Sequence, residues 1–309
     1  MCGSYLGITP YGNQSSIGLT YRYRAFNGYH MSAAQSHLFP DGHLRNANQN
    51  NQLNHHDESS AVLSDEDYEI YRAVELRAKY YIHKRIEFNA VVPLKFNSMK
   101  MNNELIKAEG IGDISLFAAF HLVASEDESN FTQRLAPGIG IKLPVGNNNV
   151  YYNEQRADAM IQPGTGTTDW FLYANYFAGK NNFGINLTGT YKFNGTNNFN
   201  EEIKNSTVIF TSLFYKFIFS ASEFTIVPKV NSYYELTKGL YRNNELVAGT
   251  PMNVLLMGPA LDLFWKNLQL TATLELPVYE KEYDYALKNS CNINLGIIYN
   301  FTQTKHLIK

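Results

Sequence analysis

The chain closes on "NINLGIIYNF", residues 292–301, in which Ile293, Leu295, Ile297, Tyr299 and Phe301 hold alternate positions and Asn292, Asn294 and Asn300 stand between them. Side chains of an extended strand alternate between its two faces, so this segment has one apolar face and one largely polar face. A soluble sheet turns such an apolar face to a protein core. A membrane barrel turns it to lipid.

The rest of the sequence favours lipid. Period-2 stretches about 10 residues long, the length of a tilted bilayer crossing, recur from Ile17 to Phe301. Twelve are predicted, at 15–28, 69–82, 86–97, 111–123, 133–145, 167–178, 183–194, 206–219, 224–236, 252–265, 268–279 and 291–301. Their connections alternate in length. The odd ones are long (29–68, 98–110, 146–166, 195–205, 237–251 and 280–290), and the even ones are short or moderate ("HKR", "ASEDESNF", "GKNN", "SASE" and "KN"). An even number of strands with long loops at one end and turns at the other predicts an all-β, antiparallel up-and-down transmembrane barrel. Residues 1–309 are read as one such domain, with extracellular loops of which 29–68 is the longest and with both termini periplasmic.

Composition agrees with this pattern. Of 309 residues, 44% are hydrophobic and 14% aromatic, with 22 Tyr and 19 Phe. Mean hydropathy is nevertheless −0.30, and no run approaches the roughly 18 to 20 apolar residues of a membrane helix. Alternating lipid-facing and lumen-facing positions average to a polar value in this way. A net charge of −2 with scattered Lys and Arg gives no footprint for nucleic acid. Cys2 and Cys291 form no CxxC motif and no disulfide framework. The opening "CGSYLGITPYG" carries neither a basic nor an apolar leader region, so the chain reads as a mature exported protein without its signal peptide.

Within "FGINLTGTYKF" the alternation sends Phe183, Ile185, Leu187, Tyr191 and Phe193 outward, and Asn186, Thr188, Thr190 and Lys192 inward. Likewise Leu268, Leu270, Leu274, Leu276 and Val278 point outward, against Gln269, Thr271, Thr273 and Glu275. Tyr80, Tyr81, Trp170, Tyr234, Trp265 and Tyr299, near strand ends, are expected in interfacial girdles. The same rule sends Arg22, Arg24, Arg77, Lys79, Lys95, Arg134, Lys142, Lys192, Lys216 and Lys229 into the lumen. Glu75, Glu87, Asp113, Asp169, Glu235, Asp262 and Glu275 join them. This mildly basic interior is either a path for polar or anionic solutes or a ladder of cross-strand salt bridges that fills a narrow bore.

Segment 29–68 holds His30, His37, His43, His55 and His56 beside Met31, Asp57 and Glu58. Their spacing matches no compact metal motif, and "NANQNNQLNHHDESS" reads as a solvated loop. No metal site is expected, and His37, His43, His55 and His56 are its only weak candidates. No Ser stands in a nucleophile motif, and His121 reads as a hydrogen-bonded lumen residue rather than part of a triad. Neither catalysis nor a cofactor is expected.

Three runs carry a family resemblance: "GIGDISLFAAFHLV", "RLAPGIGIKLPVGN" and "QPGTGTTDWFLYANYF". The Gly112-Asp113 strand, the Gly138–Gly146 strand and the Gln162–Gly166 turn resemble the outer-membrane barrel family named for the MetA pathway of phenol degradation, often simply called transporters. The opening segment is similar to the form found in Bacteroidetes, and Phe301 resembles the aromatic residue that closes such barrels, although a tail follows it here. The resemblance implies an outer-membrane, porin-like transporter more firmly than it implies a cargo. Gly138 and Gly140 read as small inward positions, and Gly164 and Gly166 as turn formers after Pro163. The expected function is passive or gated passage of a small molecule, and the expected partners are outer-membrane lipid and an unidentified small solute. The alternative is a closed structural barrel that binds a protein partner through its extracellular loops.

Overall fold

The computed structural model describes residues 14–29, 66–101, 103–126, 131–283 and 285–301. Twelve strands run in chain order. They are β1 (Ser15–Tyr29), β2 (Tyr68–His83), β3 (Ile86–Met101), β4 (in pieces Glu104–Ile111, Ile114–Phe120 and Val123–Glu126), β5 (Phe131–Leu143) and β6 (Asp169–Lys180). There follow β7 (Phe183–Phe193), β8 (Ser206–Tyr215, continued by Phe217–Phe219), β9 (Phe224–Thr237), β10 (Met252–Trp265), β11 (Leu268–Glu280) and β12 (Leu287–Phe301). Each pairs antiparallel with the next, and β12 returns to β1 with Ile17 opposite Tyr299 and Leu19 opposite Ile297. The barrel is therefore closed and has no free sheet edge, which is the condition for placing a sheet in hydrocarbon. Among the described residues the only helical turn is Ser220–Ser222.

The alternation read from the sequence holds on the final strand. Leu295, Ile297 and Tyr299 are exposed on the outer wall, while Asn292, Asn294 and Asn300 are buried within. On β7, Leu187 lies outside and Thr188 inside. Tyr80, Trp170, Trp265 and Tyr299 are about half exposed, as expected of girdle residues. Tyr81 is a correction: it is buried and its ring lies 5.4 Å from that of His121. Odd positions of β2 face the bore, and Tyr81 shares that parity with Lys79.

Two further expectations change. Segment 98–110, read as a long loop, is instead a hairpin, because β3 runs to Met101 and β4 starts at Glu104, with Met99 opposite Ile106. Its outer face carries Lys100, Lys107 and Glu109, so the lipid-type alternation fades while the backbone pairing continues. In β4 the pairing shifts partners along its length: the first piece pairs β3 alone, the second both neighbours and the third β5 alone. It is interrupted at Gly112-Asp113 and again at His121-Leu122, where Gly112 N–H still donates to Pro93 O and His121 N–H to Arg85 O.

The long connections gather at one end. Strands Glu201–Ile203, Leu240–Arg242 and Glu245–Leu246 form a small sheet there. Buried Glu201 ties three loops together, accepting from Arg156 at 3.0 Å, Arg242 at 3.1 Å and Asn197 at 3.0 Å. Most of segment 29–68, with the histidines named above, lies outside the described residues, as do Cys2 and the signal-peptide question.

Candidate functional site

The bore is built from the inward positions of the strands, and its charges are organised in three layers. Nearest the long-loop end, Lys142 of β5 sits between two carboxylates. Its ammonium pairs with Asp113 at 3.1 Å and with Asp169 of β6. Asp113 occupies the break in β4, where its carboxylate accepts from Gly146 N–H (3.1 Å), Thr165 N–H (2.9 Å) and the Thr165 hydroxyl (2.7 Å). Asp169 accepts from the Thr167 hydroxyl and from Gly195 N–H. Lys142 also donates to Thr165.

The three family-like runs thus meet at one point. Gly112-Asp113, Lys142 to Gly146 and Gln162 to Gly166 form a latch that fixes the β5–β6 connection to the barrel wall. Backbone approach explains the glycines: a Cβ on Gly164 would stand 2.3 Å from the Gly146 carbonyl oxygen. Gly166 has φ +71° and supplies a left-handed turn. Gly164 therefore serves close approach rather than turn conformation, which refines its expected role. Gly140 is a small inward position as read, since a Cβ there would lie 2.2 Å from the Phe171 ring.

Held by the latch, the β5–β6 connection folds into the barrel mouth. Ile161 and Ala157 pack against Phe26, Met99, Met101, Ile106, Ala108 and Leu287, which project inward from the surrounding strands. The Asn97 amide donates to Ile161 O at 2.8 Å, and Gln162 bonds both Val150 and Ala157. An apolar plug with satisfied backbone groups covers this side of the mouth. At the rim, half-buried Lys100 and exposed Glu66 bond at 2.7 Å; that hydrogen bond lowers the Glu66 carboxyl and raises the Lys100 ammonium from their ordinary values.

Beneath the plug lies a chamber of about 140 Å³. Room of that size holds several waters or a small polar molecule. Glu75 is shared in its wall by Arg22 (2.8 Å) and Arg77 (2.5 Å). Arg24 reaches from β1 to Glu235 of β9 at 2.5 Å and to Asn289, so one guanidinium joins strands four places apart around the barrel.

The third layer is nearer the short-turn end. Lys229 Nζ donates to Asp262 Oδ1 at 2.6 Å, with both side chains fully buried. Glu275 accepts from the Asn292 amide at 2.6 Å. His121 Nε2 lies 3.2 Å from Glu87 Oε2, in keeping with its reading as a hydrogen-bonded bore residue.

Of the expected lumen residues, Arg22, Arg24, Arg77, Lys95, Asp113, Lys142, Asp169 and Lys192 converge on the chamber. Lys79, Arg134, Lys229, Glu235 and Glu275 are buried in the bore outside its lining. Lys216 stands apart at the short-turn mouth, half-buried, 5.9 Å from the Phe214 ring. Sequence reasoning missed Arg72, Asn97, Met160, Gln162 and Thr165 as chamber residues. Gln162 and Thr165 stood within the motif runs, but nothing local announced that their loop turns inward. Among the described residues no group of three or more His, Cys, Asp or Glu side chains is arranged to hold a metal.

A closed twelve-stranded antiparallel barrel with an apolar outer wall and a charged bore defines the outer-membrane barrel class. Among solved structures, the fold is similar to an outer-membrane channel from Pseudomonas putida F1, with a TM-score of 0.63 and 15% identity over 97% of this chain and 100% of that one. The beta domain of the Bordetella autotransporter BrkA aligns at TM-score 0.49 and 8% identity, over 93% of this chain and 99% of that one. No family model matches the sequence, and no curated protein does. At these identities the likeness is one of fold.

Proposed function

We propose that this protein is an outer-membrane channel through which a small molecule passes by way of the charged chamber, with the β5–β6 connection acting as its gate. The observation that carries this reading is the chamber itself: a charged space retained inside a barrel, covered on one side of the mouth by a latched segment. The resemblance to the MetA-pathway family supports it. The expected orientation puts the short turns and both termini in the periplasm and the long loops outside, with lipid against the apolar wall. The Glu201 ties favour a second reading, a closed barrel that presents ordered loops to a protein partner.

Conductance separates the two. Reconstituted in a planar bilayer, the parent should give small currents. Asp113→Ala, which removes three hydrogen bonds and an ion pair from the latch, should raise open-state conductance several-fold. Silence from both proteins would favour the closed barrel. Orientation has its own test, in a background lacking Cys2 and Cys291. An impermeant thiol reagent on intact cells should label Lys281→Cys and spare Lys266→Cys until the outer membrane is permeabilised; the reverse pattern would invert the topology.

A further inference from the structure

We propose that solutes leave the chamber along the wall formed by β11, β12 and β1, through a file of hydrogen-bonded water that small uncharged molecules able both to donate and to accept can join. Passage rests on the channel reading, whereas the file itself does not. Asn292 opens it: its side chain lines the chamber and its amide donates to Glu275 at 2.6 Å. Toward the short turns the register then sets Thr273 beside Asn294, Gly296 between Thr271 and Thr20, Gln269 beside Ile298, and Asn300 beside Ser16. Every row of this wall thus carries a hydroxyl or an amide.

Among the described residues, Glu275 Oε1, both amide atoms of Asn294, Gln269 Oε1 and Asn300 Oδ1 are buried with no hydrogen-bond partner. They recur down one wall rather than at one spot. Buried amides and carboxylates are seldom left so, and ordered water completes them where protein does not. Successive inward positions stand about 6.5 to 7 Å apart along a strand, a gap that a bridging water or two spans. Across the bore at this end, Phe177, Phe214, Val227 and Phe264 form an apolar cluster, with the first two rings stacked at 5.8 Å, which turns water toward the amide wall.

The same wall sets what can join the file. From Thr271 and Gly296 down to Asn300, the inward positions of the three strands carry no charge. Lys229 and Asp262, on β9 and β10, neutralise each other. An ion entering here would give up hydration with no counter-charge to replace it. An uncharged molecule that donates and accepts exchanges bonds with the amides as water does. Urea and short polyols have that chemistry, and a hydrocarbon does not.

Cysteine labelling of the intact protein in detergent tests the file, in the background lacking Cys2 and Cys291. Methyl methanethiosulfonate, which is uncharged, should modify Asn294→Cys and Gln269→Cys at least tenfold faster than Val227→Cys on the apolar side. Its sulfonatoethyl and trimethylammonioethyl analogues, one negative and one positive, should react at least tenfold more slowly than it does at the first two sites. Each variant should retain the parent's mobility difference between unboiled and boiled gel samples. Equal rates at Asn294→Cys and Val227→Cys, or equal rates with the charged reagents, would overturn the proposal. Passage is read by light scattering: vesicles carrying Asp113→Ala protein, its latch released, should admit urea faster than protein-free vesicles, and adding Asn294→Leu should slow that entry at least tenfold. Urea entry indifferent to Asn294→Leu would also overturn it. Labelling without urea entry would leave the file and sink the channel reading. Urea entry without labelling would leave the channel and sink the file.

Discussion

Lys229→Met should destabilise the barrel by about 3 to 5 kcal/mol, because it strands the Asp262 carboxylate in the bore with neither water nor a counter-charge. The two side chains are fully buried and 2.6 Å apart, on diagonal positions of β9 and β10. Burying a lone charge is the costly event; burying neither costs little. The double variant Lys229→Met, Asp262→Leu should therefore recover most of the loss. Urea titration in lipid vesicles, followed by tryptophan fluorescence, measures both. A single variant within about 1 kcal/mol of the parent would mean that water reaches this layer.

Leu187→Arg should cost about 2 to 4 kcal/mol if its outward position near the middle of β7 lies at the bilayer midplane. Its neighbour Thr188 points the other way and accepts from the Asn175 amide at 3.0 Å. Thr188→Asn risks one neutral hydrogen bond, about 0.5 to 1.5 kcal/mol. The same vesicle titration compares them. Equal losses would show that the assignment of faces is wrong, since a slip of one residue exchanges every inside and outside position of a strand.

What the sequence disclosed was the part of the molecule that lipid dictates. Ile293, Leu295 and Ile297 could be placed because hydrocarbon tolerates nothing polar on the outer wall, and the polar residues between them fell inside by geometry alone. Where that solvent ends, so does the signal. The 98–110 hairpin was hidden because Lys100, Lys107 and Glu109 occupy its outer face, although its hydrogen bonds run on without a break. Tyr81 misled for a related reason: an aromatic near a strand end suggests a girdle, but parity decides which wall it joins. The charged residues were placed in the bore one by one, yet their partners were not legible. Nothing along the chain tells Arg24 that Glu235 lies across the lumen, or Asp113 that Thr165 will return to it, because loop folding inside a barrel carries no period.

The seam between β1 and β12 joins residues such as Ile17 and Tyr299, which are 282 positions apart in the chain. Contacts at that separation bring their reward only after the entropy of closing almost the whole polypeptide has been met, and such topologies fold slowly. The seam is accordingly the last ladder that can zip. Arg24 lies on β1 beside it, and its bonds to Asn289 and Glu235 come within reach only when the ring shuts. The same guanidinium that spans the bore in the finished protein thus acts in time as well as in space: it is a clasp that rewards completion and leaves every partly assembled arc without this tie.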